Sequence, residues 1–241
     1  MPEITPHTAK SFDDEMTLLR AIITRMGGLC EQQIAMAVEA LVSRNVEAAM
    51  QIVLEDERID ALEAEAEALA VKIIALRAPL ANDLREIVAA LKIAGVLERI
   101  GDYAKNIAKR ASALAQAPPI EPVIIVPEMA RAVITMLKDV LDAYVDRDVA
   151  LARAVCESDQ RVDDFYNSLF RSLLTFMMEN PQYITPSTHL LFVAKNLERI
   201  GDHATSVGEM VQFAVTGEHQ TERTKTDDTS TYAHEAPPGD S

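Results

Sequence analysis

Two stretches of this chain carry paired carboxylates at helical spacing: "VLERIGDYA" from Val96 to Ala104 and "NLERIGDHA" from Asn196 to Ala204. Residues four apart on a helix lie about 40° apart around its axis and roughly 6 Å apart along it, so Glu98 shares a face with Asp102, and Glu198 with Asp202. Upstream, "DERID" and "DQRVD" set Asp56 with Asp60 and Asp159 with Asp163 at the same spacing. Each half of the chain therefore offers four carboxylates on two neighbouring antiparallel helices. Like charges so placed repel by a few tenths of a kcal/mol on an isolated helix, and by more where other helices add acids and exclude water. A cation removes that cost. Carboxylates are hard ligands for iron, manganese, magnesium or calcium, can also hold zinc, and in groups can bridge more than one ion.

Other readings of the same residues stand beside this one. Arg99 and Arg199 could neutralise the acids as surface ion pairs, leaving an ordinary solvated helix face. A carboxylate-bridged redox enzyme would need a Glu-x-x-His element, and the chain has none; His203 follows Glu198 by five positions, about 140° around the axis, and Tyr103 stands in its place in the first copy. His203 reads as a packing or surface residue. No nucleophile elbow or phosphate loop is present, and "MGG" at Met26 to Gly28 reads as a close helix crossing or local kink. Gly101 and Gly201 each cost about 1 kcal/mol relative to alanine inside a helix, which points to another helix or a ligand approaching closely.

The elements that position these residues follow from apolar periodicity. From Phe12 to Leu41 apolar residues recur every three or four positions, predicting a long first helix. "SRN" at 43–45 breaks it, and Val46 to about Leu76 predicts the second arm of a hairpin. After "RAPLAND", a third helix runs to about Ala117, with Asn82 or Asp83 as its cap. "APPIEPVIIVP" (Ala117 to Pro127) holds four prolines and reads as a linker. Beyond it the pattern repeats: "VSRNVEAA" from Val42 aligns with "VDRDVALA" from Val145 at a shift of 103, and the third helices align at a shift of 100. The expectation is an all-α tandem duplication: 1–117 and 128–215 as three-helix bundle units, 118–127 as the linker and 216–241 as a disordered polar tail, whose His219 and His234 read as solvated.

Composition agrees with helices and limits partners. The chain has 241 residues, 49% of them hydrophobic, with eight glycines and no tryptophan. A formal net charge of -15 argues against nucleic-acid binding and for cations or basic protein surfaces. The start lacks a signal-peptide pattern and no window approaches a membrane span, predicting a cytoplasmic protein. Cys30 and Cys156, far apart in helical patterns, read as buried thiols.

Taken together, "FDDEMTLL", "RMGGLCEQQI", "DERIDALE", "ANDLREI", "LERIGDYAKNIA" and "LERIGDHATSVGE" resemble the PhoU family of phosphate-signalling proteins over about residues 8–215. The resemblance implies two pseudo-twofold three-helix bundles and a non-enzymatic cytoplasmic regulator. It further implies multinuclear metal clusters, iron or zinc in different members, on the acid motifs. Carried over by motif, these fall on Asp56, Asp60, Glu98 and Asp102, and on Asp159, Asp163, Glu198 and Asp202. The implied function is negative regulation of the phosphate regulon, linking the ATPase of a phosphate ABC transporter to a sensor histidine kinase, with a homodimer expected. Lys109 opposite Glu209, and Tyr103 opposite His203, mark where the copies depart from one another.

Overall fold

The computed structural model describes residues 6–218, so residues 219–241 of the expected tail, including His219 and His234, lie outside the described residues. The helices are α1 (Pro6–Ser43), α2 (Val46–Glu55), α3 (Glu57–Arg77), α4 (Asn82–Leu114), α5 (Val126–Asp146), α6 (Val149–Glu179) and α7 (Ile184–Thr216). Short 3-10 turns at Glu121–Ile125 and Pro181–Tyr183 complete the described residues, which contain no strand. The fold is all-α, as the periodicity predicts.

The turn that follows the first helix of each half is built the same way. Arg44 takes the left-handed region at φ 57°, and the Asn45 side chain accepts from the Ala48 N–H at 3.0 Å, capping α2. Arg147 repeats the φ of 57°, and Asp148 accepts from the N–H groups of Ala150 and Leu151 at 2.8 and 3.0 Å. A left-handed non-glycine residue costs about 1 kcal/mol, and the cap offsets much of it. The arginine side chains also tie the turns to distant chain. Arg44 donates to the carbonyls of Ala115 and Ala117 at 2.8 and 2.6 Å. Arg147 donates to Glu86 at 2.8 Å, and Arg20 of α1 donates to the other oxygen of that buried carboxylate at 2.6 Å.

Three boundaries differ from the sequence reading. The second helical arm is interrupted at Asp56, where the Ile59 N–H bonds the Asp56 carbonyl at 2.9 Å, one residue tighter than an α-helical bond. Its counterpart Asp159 lies inside the unbroken α6. Neither Asn82 nor Asp83 caps α4: Ala81, at φ 45°, holds the cap position without a side-chain bond, and the two polar residues are already helical. The proline-rich segment is not an open tether, since Ile120, Pro122 and Val126 are buried and Pro127 sits in the first turn of α5, where its missing N–H costs nothing.

Helices α4 and α7 pack against each other at the centre, α4 also against α1, α2 and α3, and α7 also against α5 and α6. Their apolar faces join one continuous core that includes Ile34, Ile93, Leu97, Ile100, Val133, Leu137, Leu197 and Ile200. Gly27 answers the "MGG" reading as a crossing: a Cβ there would lie 2.1 Å from Leu141 Cδ1 of α5. Cys30 is buried and Cys156 half-buried, neither in a disulfide, and their thiols donate to the Leu97 and Thr205 carbonyls at 3.2 and 3.6 Å. Among the described residues no helix is long and apolar enough to cross a membrane.

At Gly208 a Cβ would sit 2.9 Å from the Ala152 carbonyl oxygen and 3.1 Å from Cys156 Sγ. A backbone atom cannot rotate aside. Gly208→Ala should therefore cost about 1–3 kcal/mol in urea unfolding, although alanine is the better helix former by about 1 kcal/mol. An unchanged or raised midpoint would contradict this close α6–α7 contact.

Candidate metal centre

One acid of each set, Asp56 in the first and Asp159 in the second, is pressed against the glycine that lies between the Glu and Asp of the repeat, and that glycine sets how close the helix contact is. A Cβ on Gly101 would lie 3.3 Å from Asp56 Oδ1 and 2.9 Å from Ile59 Cδ1, and one on Gly201 would lie 3.0 Å from Asp159 Oδ1. The absent side chain thus admits the carboxylate-bearing helix against α4 in the first copy and α7 in the second.

In the first cluster Asp56 is buried and Asp60 is exposed. Lys105, one turn beyond Gly101, forms ion pairs with Asp56 and with Asp102, the latter at 2.5 Å. Burial disfavours the Lys105 charge, but its bonds to Asp102 and Asp56 prevail and hold its pKa above the usual lysine value. Glu98 is pushed above the ordinary carboxylate range by burial, then by the charges of Asp102, Glu63, Asp60 and Asp56. Asp60, although exposed as a residue, is raised by partial desolvation of its carboxyl and by the charge of Asp56, against the pull of Lys105. Glu63 is raised by burial and by Glu67 and Asp60, which makes it a further member of this anionic row.

The second cluster is balanced differently. Lys195 donates to Glu198 Oε1 at 2.7 Å, while Glu198 Oε2 is buried without a hydrogen-bond partner. Burial raises the Glu198 pKa; Lys195 opposes the shift, and Asp202 and Asp163 add to it. The expected neutralisers, Arg99 and Arg199, form none of the ion pairs among the described residues, and Arg199 instead lies over the Tyr103 ring at 5.8 Å. Lysines take that part in both copies. The aligned repeats carry the signal: Lys105 stands opposite Thr205, Lys195 opposite Gly95, and Glu63 opposite Tyr166.

Between the clusters Tyr103 and His203 stack, with ring centroids 5.4 Å apart and planes 18° apart, and the Tyr103 hydroxyl lies 3.3 Å from His203 Nε2. Equivalent positions of the two copies meet there, as a pseudo-twofold relation of α4 to α7 requires. Burial, then the charge of Arg99, lowers the His203 pKa. Its place is that of a packing residue.

The donor chemistry fits a hard cation better in the second cluster than in the first. An orphaned buried Glu198 oxygen is an acceptor awaiting a donor or an ion, whereas the Lys105 ammonium already stands between Asp56 and Asp102. Among the described residues no three His, Cys, Asp or Glu side chains are gathered as a ligand set.

Comparison with known proteins settles the family. The PhoU domain model matches residues 23–111 and again 126–211, once in each half of the chain. The chain belongs to the PhoU family. A "Phosphate-specific transport system accessory protein PhoU homolog" of Zymomonas mobilis is 54% identical over 219 residues, covering 91% of this chain and 92% of its own length. A PhoU homolog of Caulobacter vibrioides, bearing the same description, is 50% identical over 219 residues, covering 90% and 95%. Among solved structures, PhoU from Pseudomonas aeruginosa superposes with a TM-score of 0.82 at 36% identity, covering 86% of this chain and 100% of that one. The phosphate transport system regulatory protein PhoU from Streptococcus pneumoniae superposes at 0.81 with 26% identity, covering 88% and 100%. As a PhoU-family protein the chain is an accessory protein of phosphate transport and not an enzyme.

Two substitutions test the electrostatics. Lys105→Ala strands the buried Asp56 charge and should cost about 2 kcal/mol at neutral pH, less than a wholly buried pair because Asp102 can regain water. Added divalent cation should restore part of that loss; unchanged stability would contradict the pairing. Glu198 has a folded-state pKa above its unfolded one, so its stabilising contribution is complete below the unfolded pKa and is lost as pH rises through the folded one. Glu198→Gln, which removes the charge, should raise the thermal midpoint of chelator-treated protein at pH 7.5 and leave it nearly unchanged at pH 4.

Proposed function

We propose that the chain is a cytoplasmic negative regulator of the phosphate regulon and of phosphate uptake. It acts as a metal-binding adaptor between the ATPase subunit of the phosphate ABC transporter and the sensor histidine kinase. The family membership and the names of the relatives support the phosphate-transport part of this reading. The single observation that carries the metal part is the buried, partnerless Glu198 oxygen inside an acidic helix contact.

In this reading Asp159, Asp163, Glu198 and Asp202 are the principal ligands, their carboxylates converging when an ion enters. Asp56, Asp60, Glu98 and Asp102 form a second site that requires Lys105 to swing away. The ion, whether iron, zinc, manganese or magnesium, supplies positive charge that joins α6 to α7. Exposed apolar residues such as Met50, Leu54, Val71 and Leu76 on α2–α3, and Phe170, Leu174 and Met178 on α6, are available for partners and for a second copy in a homodimer. A metal-free first cluster is favoured in the resting protein, because its two carboxylates already share an ammonium.

Metal analysis of protein purified without added metal tests the site, and a phosphate-starvation reporter in the host tests the role. Asp202→Ala and Glu198→Ala should lower bound metal with helicity retained, and deletion of the gene should derepress the reporter in high phosphate. Unchanged metal content in both variants would refute the ligand assignment, and a silent reporter would refute the regulatory one.

A further inference from the structure

We propose that the cleft between α4 and α7 binds a phosphoryl oxyanion: inorganic phosphate or the phosphate of a small ester. The cleft has a volume of about 390 Å³. Its polar lining is Asn106, Lys109, Arg110, His189, Asn196 and Arg199, with no carboxylate among the lining residues. In a chain of net charge -15, three cations converge on one concavity. None of the ion pairs among the described residues involves them.

The cations are positioned as well as clustered. Arg110 stacks over the Phe192 ring at 4.6 Å, and its Nη1 donates to His189 Nδ1 at 3.1 Å. A guanidinium has no acceptor, so His189 must accept at Nδ1, and the neutral ring carries its proton on Nε2 as a further donor. Burial and the Arg110 charge lower the His189 pKa, in keeping with that neutral form. Asn196 is only 9% exposed and lines the same cleft. Planar guanidinium forks with a lysine point charge and amide donors match the geometry of a phosphoryl group, which accepts bidentate bonds that a chloride ion cannot. The volume exceeds that of a bare anion and leaves room for an ester substituent beside the half-exposed Phe192.

Duplication accounts for Arg199, which Arg99 matches, but not for the rest of this donor set. At the shift of 100, His189, Asn196, Lys109 and Arg110 face Ala89, Val96, Glu209 and Met210. The charge is thus concentrated on one side of the pseudo-twofold relation. Three like charges in one cleft repel as the acids do, and a bound dianion relieves that repulsion.

The inference goes beyond the regulatory reading, and a binding measurement on the purified full chain tests it without any reporter. Sodium phosphate and adenosine monophosphate are titrated separately by calorimetry at ionic strength held constant with sodium chloride. Saturable one-site binding of at least one of them is expected. Arg110→Ala and Lys109→Glu should each weaken it about tenfold or more, with circular dichroism unchanged, while Glu65→Gln, at an exposed position on α3, leaves it within about twofold. Tighter phosphate assigns the free anion and tighter monophosphate ester assigns the ester. Absence of binding by both ligands, binding that survives both cleft variants, or binding lost in Glu65→Gln alone would overturn the proposal.

Discussion

In each half of this molecule two carboxylate-bearing helices are pressed together where a glycine removes the side chain that would have kept them apart. The approach is tight, with the Asp56 and Asp159 oxygens 3.3 and 3.0 Å from where the Gly101 and Gly201 Cβ atoms would lie. Hydrophobic burial beneath, through Ile59, Ile100, Val162 and Ile200, holds the contact closed against the repulsion. The surroundings then differ according to how that repulsion is balanced. Positive charge must come from the chain itself or from outside it.

The two halves have diverged on this point. The first places Lys105 between Asp56 and Asp102, and the backbone tightens at Asp56 to deliver that carboxylate. The second has Thr205 in that position, takes Lys195 from the preceding turn instead, and leaves one Glu198 oxygen buried without a partner. A lysine is a permanent counter-ion and a metal an exchangeable one. The same ancestral contact thus carries a lysine between two carboxylates in one half and a buried acceptor without a partner in the other, with Tyr103 stacked on His203 between them.

Much of this was legible in the sequence, because helical period, duplication and i,i+4 carboxylate spacing are local properties. The helices, the repeated turns at Arg44 and Arg147 and the role of the glycines all follow from them. The interruption at Asp56 was not legible, since "LEDERID" has good helical propensity and carries no proline or glycine to mark a break. The cap of α4 was misplaced because Asn82 and Asp83 have the right chemistry one residue too late: the chain reverses at Ala81 instead. Lys105 and Lys195 were overlooked because each interrupts the repeat in only one copy, and attention to matched residues hides them. Whether the eight acids converge on an ion depends on side-chain rotamers, which no spacing rule specifies.

The central claim is that an added ion balances the second cluster while a lysine balances the first. Anomalous diffraction from crystals of the full chain soaked in manganese tests it most directly. The account predicts a peak among Asp159, Asp163, Glu198 and Asp202, and none between Asp56 and Asp102 while Lys105 is present. A crystal with no peak beside Glu198, or one whose only peak displaces Lys105 from the first cluster, would contradict it.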